Sequence, residues 1–116
     1  IEARVRARDL ARTGARGWHR AEPGIATTVS VDHRASPTHT VIEIVTLDRP
    51  GLLFALADAL HALGLSVSLA KISTEGNRVT DVFYVVDATG QKLERSRDAE
   101  VEEALRAALA SSRPIQ

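Results

Sequence analysis

Apolar and polar residues alternate along 25–33, IATTVSVDH: Ile25, Thr27, Val29 and Val31 take one side, Ala26, Thr28, Ser30 and Asp32 the other. A period of two in β-branched residues predicts a strand. The turn-rich RASPTH follows, and TVIEIVTL at 40–47 predicts a second strand. The short connection makes the two a hairpin. After Leu47 the period changes. At about 100° per residue, Leu52, Leu53, Leu56, Leu60 and Leu63 share one helical face, with Phe54, Asp58 and His61 on the other. Pro50 is expected as the first helical residue, because its fixed φ suits a helix and its missing N–H would be unpaired there anyway. Gly64 is the expected left-handed stop.

Residues 66–74, SVSLAKIST, predict a third strand with broken alternation: Val67 and Leu69 share one parity, Ala70 and Ile72 the other, as a bulge or partial burial of both faces would cause. Glu75, Gly76 and Asn77 make a turn into 78–87, RVTDVFYVVD, the strongest strand of the chain. A second helix is predicted over 98–110, with Val101, Leu105, Ala108 and Leu109 at core spacing. Asp98 and Glu100 suit the positive end of its dipole.

The order β, β, α, β, β, α with hairpins between neighbouring strands gives an α+β class: an antiparallel sheet with two helices on one face. Two strands are apolar on both sides. Val82, Tyr84 and Val86 oppose Phe83 and Val85, and Ile42 and Ile44 oppose Val41, Val45 and Leu47. Two helices cover one sheet face, so the other face, or a sheet edge, is expected to meet a second domain or subunit.

With 116 residues and 44% hydrophobic content, the chain suits one domain with a packed core. Its net charge of zero conceals an asymmetry: residues 1–20 hold six arginines against two acids, and residues 21–116 hold nine basic groups against thirteen acids. Residues 1–24 read as a basic linker or arm from an upstream region, 25–110 as the domain and 111–116 as a tail. One Trp and one Tyr do not make the aromatic, basic face of a nucleic-acid binder. No apolar run reaches the roughly 18 residues of a membrane span. The absence of cysteine excludes disulfides and thiolate metal sites. Because the sequence opens on Ile1 and shows no signal peptide, it is expected to be a fragment of a longer cytoplasmic protein.

Three stretches carry a family resemblance: TVIEIVTLDRPGLLFALADAL (40–60), AKISTEGNRVTDVFYVVDATGQKL (70–93) and the closing helix. Together they resemble the ACT domain, a small ferredoxin-like ligand-binding regulatory module, over roughly residues 25–110. The likeness is close to one subtype, the ACT domain at the C-terminal end of enzymes that attach and remove uridylyl groups on PII signal proteins. The usual ACT order is βαββαβ, with the last strand beside the first. Here no strand follows the second helix, so a permuted four-stranded sheet is expected, in which strand 25–33 fills the vacant edge.

The residues DRPGLL, after the second strand, are the candidate site. A helix N-terminus offers unpaired N–H groups and partial positive charge to a carboxylate. Gly51 permits close backbone approach, and Asp48 accepts from an ammonium group. Acceptor and donors side by side suit a free α-amino acid. Turn chemistry alone accounts for the same residues as a tight strand-to-helix connection with Asp48 near the cap. The resemblance implies ligand-binding roles for Asp48, Arg49, Pro50, Gly51 and Leu52, and for Ser66 as a contact from a neighbouring domain. Many ACT domains carry Asn at that last position, where this chain departs. The resemblance also implies glutamine as ligand, and PII as a partner only through the full enzyme. Phe54 and Tyr84 are expected at an interface with a sister ACT domain or second subunit. No catalytic residue, metal or cofactor is implied for this chain.

Two rivals stand beside the sensor: a docking module with no ligand of its own, and an ACT domain of another amino-acid-responsive enzyme. Other signals carry less. Ser68 to Lys71 spells S-x-x-K, but in a strand and without its companion motifs. His19, His33, His39 and His61 lack metal-ligand spacing and are expected at the surface. Asp81, amid apolar neighbours, is expected to pair with Arg78 or a backbone group.

Overall fold

The computed structural model describes residues 2–3 and 27–110. Strand β1 is the two-residue Glu2–Ala3, β2 is Thr28–Asp32 and β3 is Thr40–Leu47. Helix α1 is Leu52–Ala62, β4 is Ser66–Glu75 and β5 is Arg78–Val86. A single 3-10 turn, Arg95–Arg97, leads into α2, Asp98–Ala110. All ladders are antiparallel and the sheet order is β1-β4-β5-β3-β2.

The permuted arrangement is what forms: β2 lies at the outer edge of β3, with Val29 opposite Ile44 and Val31 opposite Ile42. The expected four strands are joined by β1, whose backbone pairs with Lys71 and Ala70 of β4. The rest of the 1–24 arm, Ile25 and Ala26, and the 111–116 tail lie outside the described residues. The expected break in alternation is a register shift between Val67 and Leu69, which leaves Ser68 unpaired.

The period-two pattern of the strands decides the core. Ile42 and Ile44 of β3, Phe83 and Val85 of β5, and Val29 of β2 face the helices. Leu52, Leu53, Leu56 and Leu60 of α1 and Val101 and Leu105 of α2 close over them. Each such side chain, fully buried, contributes about 1.5–3 kcal/mol of transfer free energy. Helix α1 ends as its Gly64 promised. With φ at 81°, Gly64 donates its N–H to His61 O at 2.9 Å, while Leu65 N–H reaches Leu60 O at 3.0 Å. These two bonds satisfy carbonyls the helix would leave open, and buried Leu60 and Leu65 flank them. No helix among the described residues is long and apolar enough to cross a membrane.

Candidate functional site

The turn into α1 has a different form from the one expected of its sequence. Pro50 precedes the helix, which begins at Leu52. Arg49, Pro50, Gly51 and Leu52 make a β-turn in which Leu52 N–H donates to Arg49 O at 3.3 Å. Gly51 has φ 74° and ψ 10°, which with proline before it is the geometry of a type II turn. The glycine is thus required by the backbone, since only its missing Cβ makes that φ cheap. The helical ladder starts with Ala55 N–H to Gly51 O at 3.0 Å. The N–H groups of Leu53 and Phe54 come ahead of that first rung, and no side chain caps them.

Asp48 continues the sheet: its N–H donates to Asn77 O at 2.7 Å. Its side chain does not cap α1, and its Oδ1 is buried with no hydrogen-bond partner. Arg49 turns away to α2, where its Nη2 donates to Ala108 O at 3.1 Å. This ties the entrance of α1 to the last turn of α2, the negative end of that dipole. Burial lowers the Arg49 guanidinium below its ordinary pKa. Pro50 is exposed, and Leu52 is core, so Leu52 offers the site its backbone and not its side chain.

Asp81 contradicts its expected pairing. It shares the helix-covered face of β5 with Val79, Phe83 and Val85 and has no exposed surface. Arg78 lies exposed on the opposite parity, and neither carboxylate oxygen of Asp81 has a hydrogen-bond partner. Burial first, and then the charge of Asp48, push this carboxyl up to about 7. The sequence did contain the signal: Asp81 is the one charged residue at an inward position of β5. The end of the sheet beneath α1 therefore holds three buried carboxyl oxygens, one of Asp48 and two of Asp81, with no donor supplied by the described residues.

Ser66 is not near this turn. Leu47 pairs with Arg78 and Ser66 with Val86, at opposite ends of β5, a separation of about 26 Å at strand rise. Within one chain the candidate site gathers residues 48–54 and Asp81. Phe54 is 37% exposed on the outer side of α1. Tyr84 is half-buried on the open face of the sheet, with Lys71 Nζ 5.3 Å from its ring centroid.

The other end of the sheet is built differently. An open cleft of about 330 Å3 is lined by Val31, Asp32, His33, Arg34, Arg95 and Asp98, with Ser30 at its side. His33, expected at the surface, has only 8% of its side chain exposed, and its Nε2 lies 2.8 and 3.0 Å from the two oxygens of Asp98. It follows the inward parity of Val29 and Val31, which was its signal. Lys92 Nζ donates to His33 O at 2.6 Å. His39 is half-buried, its Nε2 3.0 Å from Ser68 Oγ, so the serine of S-x-x-K meets a surface imidazole and not Lys71. His61 is exposed, and His19 lies outside the described residues. Among the described residues no three metal-ligating side chains converge.

Comparison with known proteins bears on this geometry. The family model for the N-terminal ACT domain of the ACR family matches residues 35–115. The bifunctional uridylyltransferase/uridylyl-removing enzyme of Rhodospirillum rubrum is 48% identical over 87 residues, covering 74% of this chain and 9% of the enzyme. The enzyme of the same name from Azospirillum brasilense is 51% identical over 83 residues, 71% of the chain and 9% of the enzyme. That from Nitrobacter winogradskyi is 38% identical over 112 residues, 96% of the chain and 12% of the enzyme. The chain thus spans about a tenth of the length of these relatives. No solved structure matches it.

Proposed function

This chain belongs to the ACT domain family, and we propose that it is the amino-acid-sensing regulatory domain of a uridylyltransferase/uridylyl-removing enzyme, with free glutamine as its ligand. In this reading the nucleotidyltransferase and hydrolase centres belong to the longer, cytoplasmic enzyme, which acts on a PII signal protein in nitrogen regulation. The chain itself carries no catalysis.

One observation carries the reading: Asp48 presents a buried, unpartnered carboxylate oxygen beside the uncapped first turn of α1. The α-ammonium group of an amino acid supplies the donor that Asp48 lacks, and its α-carboxylate accepts from the N–H groups of Leu53 and Phe54. The turn thus reads the α-amino and α-carboxyl groups, and the choice of glutamine rests on the family. Binding alters enzyme activity only through a difference in affinity between two enzyme states.

Calorimetric titration of the chain with L-glutamine, against D-glutamine and L-glutamate, tests this. Saturable, stereoselective binding is expected, weakened at least about tenfold by Asp48→Ala, the loss of one charge-assisted hydrogen bond. Absence of binding by any amino acid would overturn the reading. It would leave the docking module, which the doubly apolar strands favour.

A further inference from the structure

The cleft at the α2 entrance divides its charged groups into two sets. Its acids are occupied inside the chain. Asp98 turns both oxygens to His33 Nε2, at 2.8 and 3.0 Å, and Asp32 Oδ1 accepts from the N–H groups of Arg34 and Ala35 at 2.8 and 3.1 Å. Its arginines are not. Arg34 and Arg95 both line the cleft and are exposed, and neither guanidinium has a hydrogen bond or ion pair among the described residues. They come from separate elements, Arg34 from the hairpin after β2 and Arg95 from the 3-10 turn. The frame between them is tied down: Lys92 Nζ holds the hairpin at His33 O, and Arg97 holds the turn to Leu63 O. This end of the sheet therefore lacks acceptors, where the α1 entrance lacks donors.

We propose that this cleft is a second ligand site, which takes a phosphate group carried by a small molecule. Three donor groups meet three terminal phosphate oxygens: the guanidiniums of Arg34 and Arg95, and the ring of His33 through Nδ1. One guanidinium fork already satisfies a carboxylate, whereas two forks and a ring suit a tetrahedral dianion. A volume of about 330 Å3 lies at the small end of ligand pockets, roughly 300–1,000 Å3, and leaves room for a short organic group beside the phosphate. No Phe, Tyr or Trp lines the cleft, so a nucleobase has no ring to stack on.

His33 makes the binding depend on pH. A carboxylate only accepts, so Nε2 carries a proton toward Asp98, and in the neutral ring Nδ1 is a bare acceptor. Nδ1 has no hydrogen-bond partner among the described residues. It donates to a phosphate oxygen only after the ring gains a second proton, so binding takes up a proton. The charged groups around the ring are Asp98 on α2, Asp32 and Arg34 on the hairpin, Arg95 on the 3-10 turn and Lys92 at the carbonyl of His33. With the ring protonated, four cations stand against two acids. The cleft lies at the far end of the sheet from Asp48 and does not rest on the amino-acid reading of that turn.

Titration of the chain at about 0.15 M ionic strength, followed by the amide NMR shifts of residues 32–35 and 95–98, tests this with inorganic phosphate and glycerol 3-phosphate as probes. Saturable shifts in these residues are expected, with a dissociation constant near or below about 1 mM and tighter binding of the ester than of the free ion. Arg34→Ala and Arg95→Ala should each weaken binding about tenfold. Both side chains are exposed, so both variants fold. Sulfate reads His33, because it stays a dianion while a phosphate ester changes charge near pH about 6. It should bind at least about threefold tighter at pH about 6 than at pH about 8. Shifts that do not saturate, binding that survives the loss of both arginines, an ester weaker than the free ion, or sulfate binding equal at the two pH values overturns the inference. Calorimetry with L-glutamine reads the α1 turn separately, so the two proposals fail independently.

Discussion

The chain enters α1 through a turn that leaves Asp48 Oδ1 buried with no partner, and enters α2 through Asp98, both of whose oxygens lie within hydrogen-bond distance of His33. Around α2 the other polar groups are also engaged: Arg97 donates to Glu100 and to Leu63 O, and Lys92 to His33 O. Around α1 a second carboxyl, Asp81, adds two more unmatched oxygens. Buried polar groups cost free energy unless paired. The α2 entrance is therefore organised for stability, whereas the α1 entrance retains a cost that a ligand with donors would remove.

The largest test of this contrast is Asp81. A carboxyl whose pKa rises on folding holds its proton more tightly in the folded state, so its effect on stability is least unfavourable at low pH. Stability is then lost as pH rises from its ordinary 3.8 to about 7. A shift of that size corresponds to roughly 4 kcal/mol. Urea unfolding across this window should show Asp81→Val with a flatter pH dependence than the natural chain and greater stability above pH about 7. Parallel curves for the two chains would mean that Asp81 finds a partner in solution.

At the other entrance the sign reverses. His33→Ala should destabilise the chain by about 2 kcal/mol, because it removes a buried partner from Asp98. Amino-acid binding should be unaffected, and a matching loss of binding would merge the two regions into one. Arg49→Ala should cost about 1 kcal/mol and speed amide exchange in the last turn of α2, where Ala108 O loses its donor. Asp48→Asn should have the smallest effect on stability, within about 0.5 kcal/mol, since it removes no bond of the described residues. It should lower the pKa of Asp81, as carbon-13 titration of the carboxyl would report, by removing the like charge beside it.

The two entrances were not equally legible. Period and turn chemistry placed both helices, the hairpin of β2 and β3, the broken alternation of β4 and the stop at Gly64. They misplaced the start of α1, because Pro50 suits a first helical position and position i+1 of a type II turn equally well. The choice lay with Gly51. The candidate turn was legible as a turn and as a family motif. Where its side chains go was not: Arg49 reaches α2, Leu52 enters the core, and Ser66, expected as a contact from a neighbouring domain, lies at the far end of the sheet within one chain. Asp81 and His33 each stood at an inward parity, yet parity names a face and not a partner.

The sequence by itself determined the strands β2 to β5, the two helices and the antiparallel pairing of neighbours, which follow from preferences acting over a few residues and from the alternation that buries one side of a strand. The family and the permuted edge strand came from the resemblance of whole stretches of the chain, and β1 from neither. Only the tertiary structure decided which polar groups are matched. Asp98 meets His33 from 65 positions away, Arg49 meets Ala108 from 59, and Asp81 meets no donor among the described residues. Such pairings depend on how the helices settle over the sheet, a choice made by the packing of the whole core and encoded in no short stretch of the chain.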